Sequence, residues 1–279
     1  MADVKTATAV RPSGAAGKPK NSNNFWLNLG IVVVMVALGW IIRTWVLGDV
    51  SNFSDGAARE NPMNWKGRMY TGGVIVPFLI AMFLIMLSFV IERSITIIKA
   101  TGKVNGGEFV RKVQYHLANK NVDAAIAECD KQSGSVGNVM KAGLHKYKEM
   151  ISNNEMSTDN KVAAIQAEIE EATALELPML EKNLVFLSTI TSAATLLGLL
   201  GTVVGMIGAF SAMGQAGAPD AGKLASGISE ALFNTALGIG TSFFAMLAYN
   251  FFTTLIDGVN YSIDESGFTL TQSFATTYK

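Results

Sequence analysis

The sequence predicts an all-α integral membrane protein with four transmembrane helices, the last two long and pore-lining, and a helical cytoplasmic domain between the second and third. Three observations carry this. Of the 279 residues 49% are apolar, and the mean hydropathy is +0.32. Charge is segregated: Glu230 is the only formally charged side chain within residues 72–91, 184–213 and 226–256. Each of those stretches, like the charge-free 25–42, is close to or beyond the roughly 20 residues that cross a bilayer core. Lys and Arg total 22 and Asp and Glu total 22, so no basic excess invites nucleic acid.

Residues 1–24 hold Pro, Gly, Ser, Lys and Asn without apolar periodicity and read as a disordered cytoplasmic tail. Residues 25–48 are the first span, with Trp26, Trp40 and Trp45 suited to the membrane interface. The long polar leader and the lack of a small-x-small cleavage site favour a retained anchor over a signal peptide. Residues 49–70 are a periplasmic loop, and 71–91 the second span, with Pro77 near its start. Residues 184–213 and 226–256 are the third and fourth spans, joined by a periplasmic loop at 214–225. The third would be about 45 Å long as a helix, so one end is expected to project into water. A cytoplasmic tail, 257–279, follows.

Orientation comes from basic residues. Residues 92–183 carry twelve: Arg93, Lys99, Lys103, Arg111, Lys112, Lys120, Lys131, Lys141, Lys146, Lys148, Lys161 and Lys182. The 214–225 connection carries only Lys223. The large loop is therefore expected inside, and four spans then put both termini inside.

Within that loop, residues 108–119, 122–130 and 139–151 have the three- and four-residue apolar spacing of amphipathic helices. Turn chemistry at Ser133-Gly134-Ser135 and over 152–160 separates them. The run from Lys161 is strongly helix-forming and leads through Pro178 into the third span, as one long, kinked helix. Its carboxylates, Glu168, Glu170, Glu171, Glu176 and Glu181, read as a solvated face. Cys129 is the only cysteine, which excludes an intrachain disulfide. His116 and His145 have no second ligand type at metal spacing, and no nucleotide or zinc motif occurs. No cofactor is expected.

The chemistry is concentrated in the last two spans. On a helix of about 100° per residue, Ser188, Thr191, Thr195 and Thr202 fall within about 60°, bordered by Gly198, Gly205 and Ala209. In the fourth span Glu230, Asn234, Thr235, Gly238, Thr241, Ser242 and Ala245 span a sector of about 140°. Two readings compete. Small and hydroxyl residues let membrane helices pack closely, as in Gly201-x-x-x-Gly205. Alternatively the stripes face a pore shared by several subunits, where hydroxyls relay protons and a carboxylate marks the path. Packing alone does not require Glu230 beside Asn234 and Thr241. A secondary transporter would need an internal repeat and broken midplane helices, which are not found.

The run Thr195-Leu196-Leu197-Gly198-Leu199-Leu200-Gly201-Thr202-Val203-Val204-Gly205-Met206-Ile207 resembles a signature of the MotA/TolQ/ExbB proton channel family. So does Ile228-Ser229-Glu230-Ala231-Leu232-Phe233-Asn234-Thr235-Ala236-Leu237-Gly238, with Ala248-Tyr249-Asn250 downstream and Glu92-Arg93 closing an earlier helix. The resemblance covers about residues 72–257. It is closer to the ExbB and TolQ branches than to the flagellar stator, because the run from Gly198 to Met206 is complete.

It implies a proton-channel subunit of a bacterial inner-membrane motor that is not an enzyme. Its expected partners are further copies of itself in a homopentamer, single-span ExbD/TolR-like subunits, a TonB-like protein and membrane lipid. In the family the partner's aspartate takes up the proton, while the motif residues, here Thr202, Glu230 and Thr235, line the pore around it. Three departures stand out. The span at 25–48 is extra, Thr195 replaces a common proline, and Asn234 replaces the usual alanine. Ser188, Thr195, Asn234 and Thr241 complete the expected proton pathway; Gly198, Gly201, Gly205 and Gly238 are expected to serve helix packing. The alternative from another class is a structural scaffold whose polar stripes only pack helices.

Overall fold

The computed structural model describes residues 24–59, 61–104, 106–215 and 221–278. Residues 1–23 of the expected N-terminal tail and 216–220 of the expected 214–225 loop lie outside it. Nine α-helices follow in order among the described residues: α1 Asn24–Ile41, α2 Trp65–Thr71, α3 Val76–Thr101, α4 Gly106–Ala118, α5 Val122–Gln132, α6 Gly134–Ser152, α7 Thr158–Glu181, α8 Leu184–Gln215 and α9 Ala221–Thr277. Among the same residues the only β pairing is an isolated bridge between Phe53 and Pro62. Four helical stretches are long and apolar enough to cross a membrane. The protein is an all-α integral membrane protein.

α8 and α9 form the longest helix pair; α3 packs against both, and α1 packs on α3. Close approach of α1 to α3 depends on Gly39, where a Cβ would collide with the Pro77 carbonyl oxygen. Pro77 stands in the first turn of α3, where a missing N–H leaves no ladder bond unmade. Leu29, Val33 and Val34 turn outward on the bare face of α1. In water that face would be an aggregation hazard; in lipid it is ordinary.

The segment between α1 and α3 is tightly built. α1 continues as a π-helical turn, Ile42–Leu47. Asn52, 5% exposed, donates from Nδ2 to the carbonyls of Val46 (2.9 Å) and Leu47 (3.0 Å). Asn64 caps α2, accepting from Gly67 N at 3.0 Å, and donates to Asn52 Oδ1 at 3.0 Å. Leu47, Met69, Val76 and Ile80 bury themselves beneath this cap.

At the other end α4–α7 form a helical domain around the last third of α9. The sequence suggested a tail after residue 256. Instead the helix runs on to Thr277, and α9 as a whole is about 85 Å long. Ile263, Leu270 and Phe274 are at most 1% exposed and share one core with Val113, Cys129, Met140, Leu144, Tyr147 and Ile165. Phe274 meets Tyr147 edge-on, ring centroids 4.8 Å apart.

The long helix expected to kink at Pro178 is unbroken there. α7 passes the proline and ends at Glu181, and α8 begins at Leu184. Arg93, 2% exposed, fixes the junction: its Nη1 donates to the Leu180 carbonyl at 2.7 Å and its Nε to Glu92 Oε2 at 2.7 Å. The same Glu92 oxygen accepts from Asn183 Nδ2 at 3.1 Å. The Glu92-Arg93 pair thus lies within α3, which continues to Thr101, and ties it to the α7–α8 turn.

Candidate functional site

Four glycines set how closely α8 and α9 approach. A Cβ on Gly198 would lie 3.0 Å from Asn234 O and 3.1 Å from Gly238 Cα; one on Gly201, 2.6 Å from Asn234 Cβ; one on Gly205, 2.8 Å from Ala231 Cβ. Gly238 returns the contact, with its own added Cβ 2.5 Å from Ala194 O. The Gly-x-x-Gly-x-x-x-Gly spacing keeps these positions on one face of α8. Without side chains there, the backbones come near enough for hydroxyls on one helix to reach carbonyls on the other.

Two such bonds cross the seam. Thr235 Oγ1 donates to the Gly198 carbonyl at 3.0 Å and lies 3.4 Å from Thr202 Oγ1. Thr202 Oγ1 in turn donates to Leu199 O at 2.6 Å. Further along, Ser242 donates to the Thr191 carbonyl. Threonines from two separate motifs are therefore paired across the helix interface, each satisfied and neither charged.

Above that pair lies a cavity of about 330 Å³, walled by Thr71, Gly72, Gly205, Gly227, Glu230 and Asn234 among others. Glu230 is half-buried and accepts from Ser226 Oγ at 3.3 Å. Asn234, 3% exposed, donates from Nδ2 to the Gly72 carbonyl at 2.9 Å. Its Oδ1 is buried and has no partner. An unpaired buried amide oxygen costs about 1–3 kcal/mol, and a polar cavity containing it and a carboxylate suits water.

Not every residue of the expected stripes joins this group. Thr241 (2% exposed) and Ser242 (7%) face into the protomer, and Thr241 bonds its own helix at Leu237 O, 2.9 Å away. Ser188 and Thr195 stand exposed on α8. Ser188 borders a different cleft, about 520 Å³, with Glu181, Tyr249, Thr253 and Asp257 at the domain end of the pair. Sequence reading did not find Gly72 or Ser226 as neighbours of the polar cluster. The Gly72-Gly73 dipeptide was the available signal, since Gly73 takes φ +81°. That turn aims the Gly72 carbonyl at Asn234 across 162 positions of chain. Among the described residues no group of three His, Cys, Asp or Glu is placed to hold a metal.

Residues 131–265 match the MotA/TolQ/ExbB proton channel family. The chain is 39% identical over 89 residues to putative biopolymer transport protein ExbB-like 3 of Synechocystis, covering 31% of this chain and 42% of that protein. It is 32% identical over 108 residues to biopolymer transport protein ExbB of Xanthomonas campestris pv. campestris, covering 39% and 43%. It is 30% identical over 124 residues to Tol-Pal system protein TolQ of Pseudomonas aeruginosa, covering 44% and 53%. The chain spans about half the length of these curated relatives.

Proposed function

Since residues 131–265 match the MotA/TolQ/ExbB proton channel family, we propose that this chain is the channel and stator subunit of a proton-driven motor in a bacterial inner membrane. The observation that carries the reading is the Thr235–Thr202 hydroxyl pair bridging α8 and α9, with the Glu230 cavity beside it. Hydroxyls both donate and accept, so they pass a proton without becoming charged. A carboxylate at the membrane end of the path holds water and attracts protons. No covalent catalysis is involved.

In this reading several copies, five by family resemblance, surround the single spans of ExbD/TolR-like partners. Thr202, Thr235 and Glu230 stand nearest the partner's carboxylate. Thr241 and Asn234 work from inside the protomer, Thr241 by packing and Asn234 by holding cavity water against Gly72. Ser188 and Thr195 mark the inner end of the route. The α4–α7 domain and both termini are cytoplasmic. Energy passes to a TonB-like protein for outer-membrane transport, the ExbB reading; a TolQ-like role in envelope maintenance is the alternative within the family.

A packing-only scaffold accounts for Gly198, Gly201, Gly205 and Gly238, but leaves Glu230 facing a cavity without purpose. Proton flux separates the two. Co-reconstituted with its partner in liposomes, the Thr235→Ala variant should assemble normally and lose about a hundredfold or more of pH-gradient-driven flux, within the range for a removed proton-transfer group. Unchanged flux in both Thr235→Ala and Thr202→Ala would end the channel reading and leave the scaffold.

A further inference from the structure

The cap between α1 and α3 gathers two guanidinium groups around one ring. Arg43 Cζ lies 4.6 Å from the Tyr70 ring centroid and 5.8 Å from that of Trp40. Arg59 Cζ lies 5.6 Å from the same Tyr70 ring, and its Nη1 donates to Tyr70 Oη at 3.3 Å. The ring itself is fixed: Phe53 meets it edge-on with centroids 5.6 Å apart, and a Cβ on Gly48 would lie 2.7 Å from Tyr70 Cε2. Arg59 is held in the left-handed region, φ 57°, which a residue with a Cβ adopts only at a cost of roughly 1–2 kcal/mol.

Two like charges held at one ring favour a nearby anion. Among the described residues neither guanidinium forms an ion pair. Asp49, the carboxylate closest in sequence to Arg43, feels the charge of Arg59 without forming an ion pair with it; it accepts from the backbone N–H of Ser51 at 2.8 Å and from its hydroxyl at 2.5 Å. Asp55 Oδ2 accepts from Asn61 N at 3.1 Å. The Nε atoms of both Arg43 and Arg59 are buried without a partner. A stacked, partner-poor arginine pair is suited to bidentate recognition of a phosphate.

Depth says where that phosphate comes from. Arg43 lies near the end of the first apolar stretch, Leu29–Leu47. Trp40, Trp45 and Trp65, on α1, the π-helical turn and α2, stand 38%, 80% and 60% exposed. Indoles at that level mark the headgroup layer. We propose that Arg43 and Arg59, gathered on Tyr70, bind the phosphate of a membrane phospholipid headgroup. The site uses the extra first span, and it is independent of proton conduction by α8 and α9. Through it the first span clamps α1 and the cap to one lipid.

The test is phosphatidylglycerol titration of the delipidated full-length protein in mild detergent, read by native mass spectrometry. Arg43→Gln/Arg59→Gln should weaken binding by about tenfold for each guanidinium removed, the equivalent of a charge-assisted hydrogen bond. Lys66→Gln/Arg68→Gln, with the same loss of charge, should bind as the parent does. Should the glutamine pair fail to purify, Arg43→Lys/Arg59→Lys carries the test, with weaker binding expected at an unchanged unfolding midpoint. Inorganic phosphate should leave the lipid bound; displacement by phosphate would overturn the lipid assignment in favour of a free oxyanion. Equal binding by parent and both Arg43/Arg59 pairs, or equal weakening in the Lys66/Arg68 pair, would overturn the site itself.

Discussion

At Gly238 a side chain has nowhere to go, since a Cβ would lie 2.5 Å from a backbone carbonyl oxygen of the neighbouring helix. At Gly240, two positions on, a Cβ would meet nothing within 4 Å. Gly238→Ala should therefore cost about 1–3 kcal/mol by overpacking and lower the unfolding midpoint in detergent. Gly240→Ala should leave it unchanged or raise it slightly, because alanine is the better helix former. Equal midpoints for the two variants would mean that the α8–α9 seam is looser than described. Cys129 offers a second check. Burial foremost, then the charge of Asp130, pushes its thiol up to about 12. The thiolate is the reactive form, so a maleimide at neutral pH should label Cys129 only after denaturation.

Helices α3 and α7 are far apart in sequence and meet through one buried arginine. Arg93 gives the Leu180 carbonyl a charge-assisted bond across 87 positions. Arg93→Ala should cost about 1.5–3 kcal/mol and loosen the α7–α8 turn before it affects the α8–α9 pair. Hydrogen exchange would show faster exchange at residues 178–186 with little change over 231–245. Protection unchanged at the turn would remove Arg93 from that role. The unbroken passage of α7 through Pro178 belongs to the same scale. A proline forfeits one ladder bond, and α7 nonetheless continues past it to Glu181.

The membrane region and the helical domain are joined by α9, which belongs to both. Its last third fills the domain with Ile263, Leu270 and Phe274. Truncation after Ile256 should open the core of α4–α7, making Cys129 reactive to maleimide and residues 134–152 sensitive to protease. A mere tail would leave both unchanged. One rigid helix shared between two layers also gives a physical route by which motion in the α8–α9 pair reaches the domain.

Much was legible in the sequence because the relevant physics is local. A membrane span needs only a sufficient run of apolar residues, and each of the four stretches expected to span falls in a helix long and apolar enough to cross. The Gly-x-x-Gly-x-x-x-Gly spacing and the Thr202 and Thr235 motifs were visible for the same reason: helical period alone puts them on one face. Chain order gave no access to what faces that face. The sequence pattern grouped Thr241 with Glu230, whereas packing turns Thr241 inward and leaves Glu230 at a cavity. The α9 extension was missed because its apolar residues are spaced among Ser, Thr and Asp, a polar composition that only α4–α7 convert into core. Asn234 meeting Gly72, Arg93 meeting Leu180, and Arg43 and Arg59 meeting at Tyr70 are pairings between distant segments. Each is fixed by how helices stack rather than by what precedes or follows in the chain, and so only the tertiary structure decided them.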